Sequence, residues 1–521
     1  MNRRAFLKLS AAGAGATLAA KNVLAADVPG AVRADSAASG VGASARDTAA
    51  PRGRVALDPS LAKQKPLVGI QVGSAPLMQP DLDRVLDDMQ ARGGVNALFP
   101  FIYGHVATWA GMPARGFRGG NFGMPHMQYY KDTNLAFEDM RAPEAGDMDV
   151  FDRTITAARK RGMKTFAWLL EDNNRVPIAK WETFYEIDFH GRRVDAHPSG
   201  PCYNNPLYRA FTLALVEDYT RSYAIDGVMW SSERQGGLLN ALGAWHHGER
   251  SDPGRATCFC EHCVQRAKTA GIDVARAKAG FAALETYVRA GRAHQRPRDG
   301  YFVEFFRVLL NYPELLAWEN LWIRSRLDFM RDLHAKVKSI NPALPVGWHI
   351  WHNVSFSPFH RAEMDFAEIA KISDYIKPVL YSNCAGERMK SFADSVGENV
   401  FGDLPRADQL AMLYQMLDYR EAPYDRVLAT GFSPDYVERE TRRTRDDVAA
   451  ADHRVEIWPG IDIDVPVPRG ASQCTPESVR QTVLAAFAGG ATGVVLSRNY
   501  PEMKPENLAG AGAALRELGF G

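Results

Sequence analysis

Past its first twenty residues the chain has no apolar run long enough to demand a membrane span. It also lacks an excess of either charge. The 62 Lys and Arg against 61 Asp and Glu leave +1, well mixed, so no basic stripe argues for nucleic acid. No glycine-rich phosphate loop follows the first β-branched run, which counts against a doubly wound nucleotide-binding sheet. A tight His-x-His pair in that first run is missing too, and many barrel metallohydrolases carry one there. Cysteine is scarce, with six in 521 residues, and four of the six fall where they form a pattern.

What is present begins with Met1, Asn2, Arg3, Arg4, Ala5, Phe6, Leu7 and Lys8, then small and apolar residues to about Ala20, with Ala25 and Ala26 close behind. A charged start, a short apolar stretch and small residues describe a cleaved export signal over 1–26. The paired arginines give it a twin-arginine character and a periplasmic or secreted destination. Residues 27–65 are rich in Ala, Gly, Ser, Pro and Arg without apolar period and read as a flexible linker.

From 66 to 521 apolar runs alternate with helical periodicity. Strands are expected at Leu67–Val72, Asn96–Ile102, Met163–Leu170, Ile225–Trp230, Pro345–Trp351, Tyr375–Tyr381, Arg454–Ile463 and Gly493–Ser497. Helices are expected between them at 81–90, 150–161, 207–223, 321–337, 362–372, 434–450 and 476–488. Eight such units predict a closed (β/α)8 TIM barrel, with an open doubly wound sheet as the alternative. Two insertions, 104–148 after strand two and 235–320 after strand four, would leave the carboxyl face and wall a cleft. Ten tryptophans and 18 tyrosines offer ring faces for sugars as well as core.

Cys258, Cys260 and Cys263 stand as Cys-Phe-Cys-Glu-His-Cys, and Cys202 precedes Tyr203, Asn204, Asn205 and Pro206. Four thiolates would close a tetrahedral shell around a structural zinc, which needs no water and does no chemistry. Disulfides are the alternative, and three such close cysteines are hard to pair without strain. Cys384 and Cys474 are either a bridge or buried thiols.

The order Cys202, Asn205-Pro206, Tyr208-Arg209, Ile225-Asp226-Gly227, Glu233 and the cysteine cluster resembles family 42 beta-galactosidases and related barrel glycoside hydrolases. That resemblance implies a glutamate after strand four as acid/base, a carboxylate after strand seven as nucleophile, and a four-cysteine zinc site. Ser232 departs from it, since the family has asparagine before its acid/base.

Glu233 follows Val228, Met229 and Trp230 into the mouth of the sheet and is the candidate acid/base, a salt bridge to Arg234 being the bland reading. For its partner, Asp462 comes first and Asp464 next, with Glu171, Asp172, Glu387 and Glu502 in competition. A pair about 5 to 5.5 Å apart would retain configuration, and one about 6.5 to 9.5 Å apart would invert it. Trp230, Trp348, His349, Trp351, Tyr381, Asn383, Arg498 and Tyr500 are the candidate sugar contacts. The sequence thus points to an extracytoplasmic glycoside hydrolase with a carbohydrate substrate, no organic cofactor and room for a homo-oligomer. A non-catalytic carbohydrate-binding barrel is the second reading, and a metal-dependent hydrolase using His349, His352, Asp462 and Asp464 the third.

Overall fold

The computed structural model describes residues 65–104, 120–171, 183–194, 200–245, 251–449 and 451–520, all within one compact unit. The expected signal and nearly all of the linker lie outside the described residues, as does Asp172.

One curled sheet organises the chain. Its parallel strands are β1 Leu67–Val72, β2 Ala97–Gly104, β3 Lys164–Glu171, β4 Gly227–Ser232, β5 Val346–Ile350, β6 Tyr375–Pro378, β7 Glu456–Ile457, β8 Gly460–Asp462 and β9 Gly493–Ser497, and the short stretch Gly120–Asn121 pairs antiparallel with β2. Neighbours run β7-β6-β5-β4-β3-β2-β1-β9-β8, and every pairing along that path is parallel. Helices cross over between the strands, as parallel neighbours require.

The expected closed barrel is corrected. The nine strands sweep an arc of 302° and leave edges 10 Å apart, so the sheet is open. The break lies in the expected seventh strand, within the run Ile457, Trp458, Pro459, Gly460. Proline has no N–H to give a ladder. The run splits there into β7, which pairs with β6, and β8, which pairs with β9. A few links cross the seam: a bridge between Val379 and Gly460, with Leu380 N donating to Gly460 O at 3.1 Å, and Thr492 N donating to Ile457 O at 3.0 Å.

Alternation along the strands sets two apolar layers. The inner one holds Phe99, Phe101, Phe166, Trp168, Met229, Tyr375 and Trp458, with Phe99 stacked on Phe166 at 4.6 Å and Tyr375 on Trp458 at 4.0 Å. Rings this large need bare neighbours. A Cβ on Gly347 would lie 2.3 Å from the Tyr375 ring, and one on Gly227 2.4 Å from Phe166. The outer layer packs Trp230, Trp348 and Ile350 against Phe329 and Met330 of the helix Glu314–Ile340.

The insertion after β4 is mostly helical, with Gly237–Leu242, Glu261–Thr269, Val274–Arg292 and Tyr301–Asn311. A further excursion, unmarked in the sequence reading, carries Ser382–Val396 and Arg406–Leu417 after β6.

Candidate active site

Glu233 leaves the end of β4 with 36 % of its side chain exposed, and its Oε1 lies 3.1 Å from His349 Nε2. Its neighbours are committed elsewhere. Ser231 Oγ accepts a 2.8 Å bond from Trp168 Nε1, and Ser232 Oγ meets Tyr203 OH at 2.7 Å. Arg234 turns inward onto Glu171 at 2.9 Å and Glu186 at 3.7 Å, its guanidinium 4.2 Å above the Tyr203 ring. The Glu233–Arg234 salt bridge is therefore not made. Glu171, a competing carboxylate, is taken up by Arg234, Tyr203 and Tyr208.

His349 comes from β5 and is buried against the face of Trp168, ring centres 6.0 Å apart. Its Nδ1 lies 3.1 Å from Lys377 Nζ. Burial, with Lys377 adding to it, pushes His349 down to about 4, so the ring is neutral at physiological pH. Lys377 sits in β6, fully buried, and donates to Gln71 Oε1 at 3.3 Å and Tyr381 OH at 3.5 Å. Burial lowers its ammonium to about 7 against the pull of Glu233. Sequence reading missed Lys377, Gln71 and Arg388. A lysine inside the apolar run Tyr375–Val379 was the signal, because lysine is almost never fully buried without a partner.

Asp462 ends β8, buried. Its Oδ2 accepts the backbone N–H groups of Asn383 and Cys384 at 3.1 and 3.3 Å, where the helix Ser382–Val396 starts, and Oδ1 has no hydrogen-bond partner among the described residues. Burial raises it to about 6 while the charge of Arg388 opposes. That guanidinium also feels Glu233 and donates to His352 Nδ1 at 3.0 Å. Asp464 is turned elsewhere: its carboxylate accepts Lys504 N at 2.8 Å and Asn507 Nδ2 at 2.9 Å, and its backbone is left-handed, with a φ of 55°.

The expected sugar contacts divide. His349 and Tyr381 join the Glu233 group, and Asn383 gives its backbone N–H to Asp462. Trp230 and Trp348 are corrected to outer-layer packing, meeting edge to face at 6.2 Å, with Trp348 Nε1 bonded to Ile372 O. Trp351 packs on Trp245 at 4.7 Å and lines a cavity of about 180 Å³ with Arg361 and Glu440. Arg498 pairs with Glu502 at 2.8 Å, and Tyr500 donates to Asp88 at 3.1 Å. His349, His352, Asp462 and Asp464 have separate partners, which removes the basis for an open metal centre built from them.

Cys202, Cys258, Cys260 and Cys263 do converge, with sulfurs all within 4.8 Å of one another; among the described residues they are the one group able to hold a metal. Cys202 Sγ lies 3.5 Å from Cys260 Sγ and 3.4 Å from Cys263 Sγ. Metal–sulfur bonds of ~2.3 Å require tetrahedral edges of about 3.8 Å, so the spacing fits an ion. Asn204 adds N–H donors to two of the sulfurs, at 3.4 and 3.3 Å, as thiolates would want. Cys384 and Cys474 are buried thiols, not a bridge.

No family model matches the chain, and no curated protein matches it. Among solved structures it is similar to the beta-galactosidase of the Antarctic haloarchaeon Halorubrum lacusprofundi, with a TM-score of 0.50 and 14% identity over 87% of this chain. It is similar also to the cold-adapted beta-galactosidase of Rahnella sp. R3, with a TM-score of 0.50 and 13% identity over 89% of this chain. The chain spans 58% of each of those proteins. At this identity the likeness is one of fold.

Proposed function

We propose that this protein is an exported glycoside hydrolase acting on an oligosaccharide or polysaccharide, with Glu233 as general acid/base. The observation that carries the reading is Glu233 itself: a part-exposed carboxylate at the carboxyl edge of a parallel sheet, beside a buried neutral imidazole, while the residues flanking it are held elsewhere. Ligands of such sheets bind at that edge. Beta-galactosidases with a similar fold make a glycosidic bond the natural substrate class.

Asp462 is the second carboxylate in this reading, since it ends β8 at the same carboxyl edge of the curled sheet and is under the influence of the same Arg388 as Glu233. Glu233 would protonate the departing oxygen, Asp462 would attack the anomeric carbon, and Glu233 would then take a proton from the incoming water, with net retention. Structural zinc is proposed for the four cysteines, closed to water and outside the reaction.

The test is turnover of a panel of polysaccharides and 4-nitrophenyl glycosides by Glu233→Gln. The expected outcome is a loss of about 10²- to 10⁴-fold in kcat with folding preserved, and proton NMR of the first-formed anomer reads retention. Undiminished hydrolysis by that variant would overturn the assignment.

A further inference from the structure

Behind Glu233, on the other side of the His349 ring, lies a buried cation, Lys377, that hydrolysis by two carboxylates does not call for. An ammonium has three N–H donors and no lone pair. Around Lys377 Nζ stand three acceptors: His349 Nδ1 at 3.1 Å, Gln71 Oε1 at 3.3 Å and Tyr381 OH at 3.5 Å. If Lys377 donates to Nδ1, the neutral ring carries its own proton on Nε2. That nitrogen is the one 3.1 Å from Glu233 Oε1.

We infer that Lys377 and His349 form a proton relay to Glu233, with Lys377 as the store and His349 as the carrier. The inference rests on Glu233 being the acid/base. In the step, an Nζ–H bond of Lys377 breaks and its proton joins His349 Nδ1, while the Nε2–H bond breaks and that proton joins Glu233 Oε1. Lys377 becomes a neutral amine, the ring keeps one proton on the other nitrogen, and Glu233 becomes a carboxylic acid. One positive and one negative charge disappear together, so the total charge is unchanged and no co-reactant is needed.

Local electrostatics suit this transfer. Lys377, lowered to about 7, gives up a proton near neutrality, and His349, lowered to about 4, remains uncharged before and after. Tyr381 is pushed up by burial and keeps its phenolic proton. Arg388, bound to His352 and near Asp462, supplies a fixed positive charge on the far side. Gly460 leaves room for the lysine stem, since a Cβ there would stand 2.6 Å from Lys377 Cε. Lys377 is thus a positioning residue, acting on substrate only through Glu233.

The experiment uses the full chain labelled with ¹⁵N-histidine. The wild-type His349 ring is expected as the Nε2–H tautomer at pH 6, and Lys377→Met is expected to release it to a mixture. A wild-type ring protonated on Nδ1 would overturn the relay without any variant having to fold. In kinetics on the glycan that the panel identifies, wild-type kcat is expected to fall above about pH 7 as the store empties. Lys377→Met should lose at least 10-fold in kcat, keep its KM, and show no such limb; an unchanged limb would overturn the relay. Turnover by Glu233→Gln separates the two ideas, because it bears on the acid/base assignment and leaves the ring tautomer as an independent reading.

Discussion

Asp462 sits where a charge is costly, because its carboxylate is fully buried and only one oxygen has hydrogen-bond donors. Its folded value of about 6 lies above the ordinary 3.8. As pH falls from 6 towards 3.8 the native state therefore takes up the proton before the unfolded chain does, and stability rises through that window. Above pH 6 the full penalty of the buried charge is present. Asp462→Asn keeps an oxygen to accept from Asn383 and Cys384 and removes the charge. It is expected to stabilise the fold by about 1 to 3 kcal/mol at pH 7.5, and the gain should vanish near pH 4. Urea unfolding at the two pH values checks this, and an equal gain at both would show that burial of charge is not the cause. The sequence announced Asp462 by its place after an apolar run. It could not announce Lys377's partners, which come from β1, β5 and the segment after β6.

Glu233 owes its placement to elements that end in cysteines. Tyr203, next to Cys202, bonds Ser232 at 2.7 Å and Glu171 at 2.8 Å. Thr257, next to Cys258, bonds Glu186 at 2.7 Å, and Glu186 faces Arg234 at 3.7 Å. Both residues beside Glu233 are thus tied to the cysteine knot, one directly and one through a carboxylate. Stripping metal with a chelator, or Cys258→Ser, is expected to speed amide exchange at least 10-fold over residues 230–236 while β1 and β9 stay protected. Mass-spectrometric hydrogen exchange reads this, with elemental analysis reading the metal content before and after. Unchanged exchange after stoichiometric loss would mean that the knot and the strand tip are uncoupled. At this scale the sequence was most legible where runs were bounded by turn residues: β1, β9 and the helix Pro476–Ala488 match expectation to the residue. It misled at the seventh strand, where Pro459, which has no N–H to give a ladder, interrupts the apolar run. The helix Ser382–Val396 escaped notice because its first turn, Ser382 to Cys384, reads as strand-end polar residues, although the N–H groups there find Asp462 far along the chain.

For the whole molecule, the alternation of strands and helices is legible as a parallel curled sheet, while its failure to close shows in the strand pairing, where the seventh run splits between two partners. Surface matching is a second property that only the assembled chain reveals. The helix Tyr301–Asn311 is apolar on two sides: Tyr301, Phe305 and Val308 are buried, while Phe302, Phe306 and Leu310 are 54%, 51% and 67% exposed. An outward apolar stripe of this kind favours association. A net charge of +1 offers almost no long-range repulsion against it near neutral pH. Phe306→Lys with Leu310→Lys breaks the stripe and adds two charges at positions that bury little, so stability should move by no more than about 0.5 kcal/mol per site. Sedimentation velocity across a concentration series is expected to show the wild type shifting to larger species at pH 7.5 and the double variant remaining monomeric. A wild type that stays monomeric at high concentration, or a variant that still associates, would show that this stripe is not what brings copies together.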